Sequence, residues 1–130
     1  MNNSTSKCNH FNAKVCLQVL PKLDVSGVSR GTIELSKAII SSGRRAIVAS
    51  SGGLFAKELS RIGVQHYDLN LYSKSPFSIL MNAISLTEII KKERVSIIHA
   101  RSRAPAWSAY FASRWTNKPL VTTFHGTYGT

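Results

Sequence analysis

The chain has 130 residues, and its 17 Lys and Arg against 6 Asp and Glu leave a net charge of +11 at neutral pH. That length suits one domain with one core, and a hydrophobic fraction of 43% excludes a chain disordered throughout. No apolar run approaches the ~20 residues that a membrane-spanning helix needs, and the opening MNNSTSKCNHFN lacks the apolar segment of a secretory signal.

Residues 1–13 are polar and predict a flexible N-terminal tail. Residues 15–20 (VCLQVL) read as a strand, which Pro21 ends. Between residues 29 and 42, Leu35, Ala38 and Ile39 share one face at helical spacing, with Ile33 and Ile40 alongside and Gly43 as the stop. Residues 46–49 form a second strand, closed by Ser50, Ser51, Gly52 and Gly53. Phe55, Leu59 and Ile62 mark a short helix before Gly63, and residues 64–69 (VQHYDL) a third strand. Pro76 opens a long helix to about Lys92, with a broad stripe of Phe77, Ile79, Leu80, Ala83, Ile84, Leu86 and Ile90. Residues 95–99 (VSIIH) are a fourth strand, ARSRA is a loop, and Pro105 begins a helix carrying Trp107, Tyr110, Phe111 and Trp115. Residues 120–124 (LVTTF) are the fifth strand, and HGTYGT follows.

This alternation with short connections predicts an α/β fold: a Rossmann-like, mainly parallel sheet of order 3-2-1-4-5 with helices on both faces. The apolar strands fit a sheet covered on both sides. Ligands in such folds bind at the carboxyl ends of the strands. That directs attention to residues 21–30, 50–54, 99–105 and 124–130.

Several chemistries are excluded there. The first loop offers only Gly27 and Gly31 instead of GxGxxG, and the second strand ends in Ala49-Ser50 where a dinucleotide fold places an acid. No P-loop string occurs. Cys8 and Cys16 with His10, His66, His99 and His125 form no metal-binding spacing, and two such cysteines suit a reduced intracellular chain. No cofactor is expected.

What remains is suited to anions. Gly27, between strand and helix, lets a phosphate approach the following N–H groups. Arg101 and Arg103 flank Ser102 just after the fourth strand, where two guanidiniums can grip a phosphate or carboxylate. His99 and His125 stand at strand ends, the latter beside Gly126. Trp107 and Trp115 are expected in the core. Lys91, Lys92 and Arg94 complement a helix C-terminus.

Three strings in this order, QVLPKLDVSGVSRGTIELSKAI, IIHARSRAPAWSAYFA and PLVTTFHGTY, resemble the N-terminal domain of family 4 glycosyltransferases, especially bacterial members of lipopolysaccharide core synthesis. The resemblance implies a GT-B architecture of two Rossmann-like halves, with retaining transfer of a sugar from a nucleotide-sugar to a lipid or sugar acceptor, usually without a metal. By that resemblance Gly27 lies near the donor diphosphate and His125 is the cleft residue at the donor sugar. Arg101 and Ser102 line the acceptor side, with His99, Arg103 and Gly126 beside them, and Arg30 meets an anion at the first helix. The family's GGVE is here Ser26-Gly27-Val28-Ser29. The Glu-x7-Glu half of the family does not occur in these residues. The expectation is therefore an acceptor-side domain over residues 14–130, C-terminally truncated, inactive and of reduced stability alone: a fragment, the product of a split or decaying gene, or one half of a two-chain enzyme whose partner is a separate chain carrying the other half.

Two rival readings follow from the charge. A nucleic-acid module is disfavoured because the basic residues are scattered and no RNP-type string or helix-turn-helix occurs. A peripheral adaptor on an anionic membrane is compatible with the transferase reading, which places the chain in the cytoplasm or at the inner membrane face.

Overall fold

In the computed structural model, which describes residues 14–23 and 27–123, the run VCLQV becomes the central strand β1 (Val15–Val19) of a parallel sheet. Helix α1 (Gly27–Ser41) leads to β2 (Arg45–Ser50), and α2 (Ala56–Arg61) to β3 (Gln65–Asp68). The long α3 (Pro76–Glu93) crosses to β4 (Ile97–Arg101), and α4 (Arg103–Thr116) to β5 (Leu120–Thr123). The strand order is β3-β2-β1-β4-β5, as the alternation predicts, with every neighbouring pair parallel.

Strand periodicity divides the core into two layers. Val15, Leu17 and Val19 join Ile47, Ala49, Ile98 and Ala100 on one face, packed against Leu86, Ile89 and Ile90 of α3 and Ala109 and Ala112 of α4. The two alanines let α4 lie close to the sheet. On the other face Ala46 and Val48 meet Leu20, Leu23, Ile33, Leu59 and Val64 beneath α1 and α2. Pro76 starts α3, Lys91 and Lys92 occupy its last turn, and Arg94 ends it in the left-handed region at φ 58°. Asn117 ends α4 in the same way. Among the described residues no helix is long and apolar enough to cross a membrane.

Four expectations need correction. First, full coverage holds for β1, β2 and β4, whereas β3 and β5, at the two edges, leave residues exposed. Second, α1 turns Ser29, Thr32, Ile33 and Ser36 inward and leaves Ala38 exposed, so its sheet-facing side is largely polar. Third, the ARSRA segment is not a loop: β4 runs through Arg101 and α4 starts at Arg103, leaving Ser102 alone between them. Fourth, Trp107 and Trp115 stand outside the core, as do Phe77, Leu80 and Ile84 of the α3 stripe. Ala109 and Ala112 take the sheet-facing positions that the tryptophans were expected to hold.

Candidate active site

The carboxyl ends of the strands are bound together by backbone. Leu23 N–H donates to the Gly52 carbonyl (2.7 Å), and the Leu23 carbonyl accepts from Phe55 N–H (2.9 Å). Ser51 N–H reaches the Pro21 carbonyl (2.9 Å). Gly53, at φ +142°, makes this possible, because a Cβ there would overlap the Leu23 carbonyl. Thus the segment after β1 is held against the segment after β2 just before α1 begins.

Arg101 closes β4 on the α1 side and is 5% exposed. Its Nη2 donates to Gln18 Oε1 (3.2 Å), while the Gln18 amide donates to the Thr32 carbonyl (3.3 Å) and Ser36 Oγ (2.8 Å). Ser36 in turn donates to the Thr32 carbonyl (2.8 Å). Gly31 gives the guanidinium room, since a Cβ there would come within 3.3 Å of Nη1. On the polar inner side of α1, Ser36 Oγ and the Thr32 carbonyl serve Gln18, and Gln18 serves Arg101, while the Thr32 hydroxyl donates to the Val28 carbonyl (2.8 Å). Among the described residues, Arg101 Nε is buried without a hydrogen-bond partner and no ion pair includes this side chain. Burial pushes the arginine below its usual pKa, opposed by interaction with Cys16. Burial raises the Cys16 thiol, and Arg101 pulls it back down. A buried guanidinium with no carboxylate beside it among the described residues gives positive potential at this edge.

Ser102, between β4 and α4, has φ 84° and ψ 159°, a region that non-glycine residues rarely adopt and that concentrates at functional sites. Its N–H donates to the Thr123 carbonyl (3.3 Å), and its carbonyl accepts from Ala106 N–H (3.1 Å). Its hydroxyl makes no capping bond with α4.

Arg103 does not join Arg101. It is exposed and lines a groove of about 610 Å³ with Trp107, Tyr110, Leu120 and Thr122, on the opposite side of the sheet. The expected two-arginine grip is therefore overturned by the single-residue turn at Ser102, which sends the two side chains to different faces. His99 lies two residues inside the end of β4. Its Nε2 shares a 2.7 Å hydrogen bond with Thr123 Oγ1, and it lines a groove of about 430 Å³ with Cys16, Leu35, Ile97 and Val121. Arg30 is exposed near the start of α1, with its guanidinium 5.8 Å from the Phe55 ring centroid. Gly27 is the first residue of α1. His125 and Gly126 lie outside the described residues.

The structure adds groups that the strand patterns did not single out. Gln18 is a lone polar residue in an apolar run, and its side-chain partner on α1 is Ser36. Ser50 and His66 form a second polar pair: Gly52 N–H donates to Ser50 Oγ (3.0 Å), and Ser50 Oγ lies 2.7 Å from His66 Nε2. Burial lowers the His66 pKa, with Asp68 opposing the shift. Among the described residues no group of three His, Cys, Asp or Glu is placed to hold a metal.

Comparison with known proteins identifies the lineage of this edge. Residues 25–129 match Glycosyltransferase Family 4. A glycosyltransferase from Rickettsia africae ESF-5 shares 49% identity over 90% of this chain, with a TM-score of 0.79, and the match spans 31% of that protein. MurG of Acinetobacter baumannii shares the fold at 15% identity, with a TM-score of 0.70 over 85% of this chain and 35% of its own. A UDP-N-acetylglucosamine 2-epimerase from Listeria monocytogenes also shares it at 12% identity, with a TM-score of 0.59 over 85% of this chain and 31% of its own. No curated protein matches the sequence. The chain thus spans about a third of the length of these structures, and its match to one family runs from just before α1 through β2 to β5, taking in Arg101 and the Ser102 turn. The chain belongs to glycosyltransferase family 4.

Proposed function

We propose that this chain forms the acceptor-side part of a retaining glycosyltransferase that moves a sugar from a nucleotide-sugar to a lipid-linked acceptor of the lipopolysaccharide type. The observation that carries the reading is Arg101, a buried guanidinium with no ion-pair partner among the described residues, set behind the strand ends of a family 4 sheet. In the proposed roles, Gly27 and the first turn of α1 face the donor diphosphate. Arg101 supplies fixed positive potential from behind that edge, and needs no direct contact to favour phosphate there. Ser102 offers its hydroxyl on the acceptor side. By family resemblance His125 and Gly126 serve the donor sugar, His99 belongs to the substrate side, and Arg30 and Arg103 flank the entrance. No metal and no nucleic acid take part.

The Glu-x7-Glu half that binds the donor in this family is supplied by other residues, in the same protein or as a partner chain. The proposed location is the cytoplasm, at the inner face of the membrane that carries the acceptor. The test is a chimera in which this chain replaces the aligned third of the Rickettsia africae glycosyltransferase. Sugar transfer is expected from the chimera and not from the 130 residues alone. A folded chimera that transfers no sugar from any nucleotide-sugar that the Rickettsia africae protein uses would overturn the reading.

A further inference from the structure

Among the described residues the charge of Arg101 is met by dipoles alone. The residue is enclosed, 5% exposed, and its Nη2 donates to the neutral Oε1 of Gln18 (3.2 Å). Behind Gln18 the chain of bonds stays neutral. The amide donates to the Thr32 carbonyl and to Ser36 Oγ, and the Ser36 hydroxyl donates to that same carbonyl. Gln18, Thr32 and Ser36 are fully buried, so this side of the cation is shut off from solvent. The carboxylates of Glu34, Glu58 and Glu93 are engaged elsewhere, with Lys37, Arg61 and Arg45. Gly31 lies against Nη1 and brings no side chain of its own.

The chemistry of position 18 is therefore informative. A buried charge is ordinarily paired with an opposite one. A glutamate there would match glutamine in length and set a carboxylate on Nη2. The chain instead carries an amide, which holds the guanidinium by a hydrogen bond and cancels none of its charge. The direction of the amide is fixed from the far side: two acceptors on α1 take its NH2 end, so its oxygen faces β4. The cation kept in this way closes β4, at the edge where ligands of such sheets bind.

We propose that Gln18 is a positioning residue for sugar transfer, a neutral anchor that fixes the Arg101 guanidinium while leaving its positive charge available to the phosphates of the donor. The inference rests on the transferase reading above and adds to it that position 18 must be uncharged.

Cys16 provides a readout that needs no transfer. It lies two residues before Gln18 on the same side of β1. Burial raises its thiol pKa, and Arg101 pulls it back down. In the 130-residue chain with Cys8→Ser, Cys16 is the one thiol, and the pH dependence of its reaction with a disulfide reagent is measured with and without Arg101→Met. Loss of the arginine is expected to move the titration up by about half a pH unit or more. An unmoved titration means that the charge is already neutralised, and overturns the proposal.

The role in transfer is read in the chimera with the Rickettsia africae glycosyltransferase. Gln18→Glu keeps an acceptor for Nη2 and adds the counter-charge, and it is expected to lower kcat/KM about tenfold. Gln18→Met removes the same amide without adding charge; it is expected to lower the melting temperature more, yet to reduce kcat/KM by no more than about threefold. Activity thus follows charge, and stability follows hydrogen bonding. A loss of kcat/KM in Gln18→Met equal to or greater than that in Gln18→Glu gives the residue a structural role only and overturns the proposal. An active chimera indifferent to Gln18→Glu overturns the inference alone, whereas a folded chimera inactive with Gln18 and Arg101 both in place overturns the transferase reading beneath it.

Discussion

Arg101 is the residue on which structure and chemistry most clearly diverge. Among the described residues its Nη2 bonds only to the neutral oxygen of Gln18 and Nε has no partner, an arrangement that gives the buried charge little stabilisation. Arg101→Met keeps similar length and removes the buried charge. Its folding free energy is expected to stay level or rise, as when other buried ionic groups are replaced by apolar side chains. Gln18→Leu should cost about 1–3 kcal/mol, because it strands Nη2 and leaves Ser36 and Thr32 without the amide. The double variant should recover much of that loss, a coupling that a double-mutant cycle in urea measures directly. Gly53→Ala should destabilise by more than about 1 kcal/mol, since both its φ of +142° and the Leu23 carbonyl oppose a side chain.

His66 adds a pH dependence. Burial lowers its folded pKa beneath the ordinary value of about 6.5 that the unfolded chain retains. As pH falls through about 6.5 the unfolded state binds the proton first, so stability is full above that point and declines below it until the folded pKa is passed. Protonation makes both ring nitrogens donors, so Ser50 Oγ must then act as the acceptor in the 2.7 Å contact with Nε2. Urea midpoints compared between pH 7.5 and pH 5.5 should fall for the parent and fall less for His66→Gln.

Among the elements, α1 shows what periodicity alone misses. A rule that seeks apolar faces selects Leu35, Ala38 and Ile39. The sheet instead takes Ser29, Thr32, Ile33 and Ser36, because the strand residues opposite include Gln18 and the Arg101 side chain. The partner of a helix face decides which stripe is inward, and that partner is distant in sequence. The α4 helix shows the converse. Its aromatic spacing was legible, but the small residues Ala109 and Ala112 form the side that meets the sheet, leaving the tryptophans outside. Accordingly Trp115→Ser should change folding stability by less than about 0.5–1 kcal/mol, far below the 3–5 kcal/mol typical of a core tryptophan. Thermal or urea unfolding distinguishes the two.

For the molecule as a whole, topology was the most legible property. Five short strands separated by helices, with crossovers of one hand, leave few arrangements, and the observed order is the predicted one. The site was legible in outline only. Strand ends located it, but the spacing of Arg101 and Arg103 could not reveal that one residue separates strand from helix and sends them to opposite faces. His125 and Gly126 remain proposals drawn from the family resemblance.

The most direct test of the site compares Arg101→Met with the parent in the chimera with the Rickettsia africae glycosyltransferase, reading kcat/KM for sugar transfer and the melting temperature together. The expected result is a fall in kcat/KM of about tenfold, corresponding to about 1.4 kcal/mol of lost transition-state stabilisation, with the melting temperature unchanged or raised. Unchanged kcat/KM in a folded Arg101→Met chimera would contradict the assignment of this buried cation to the active site.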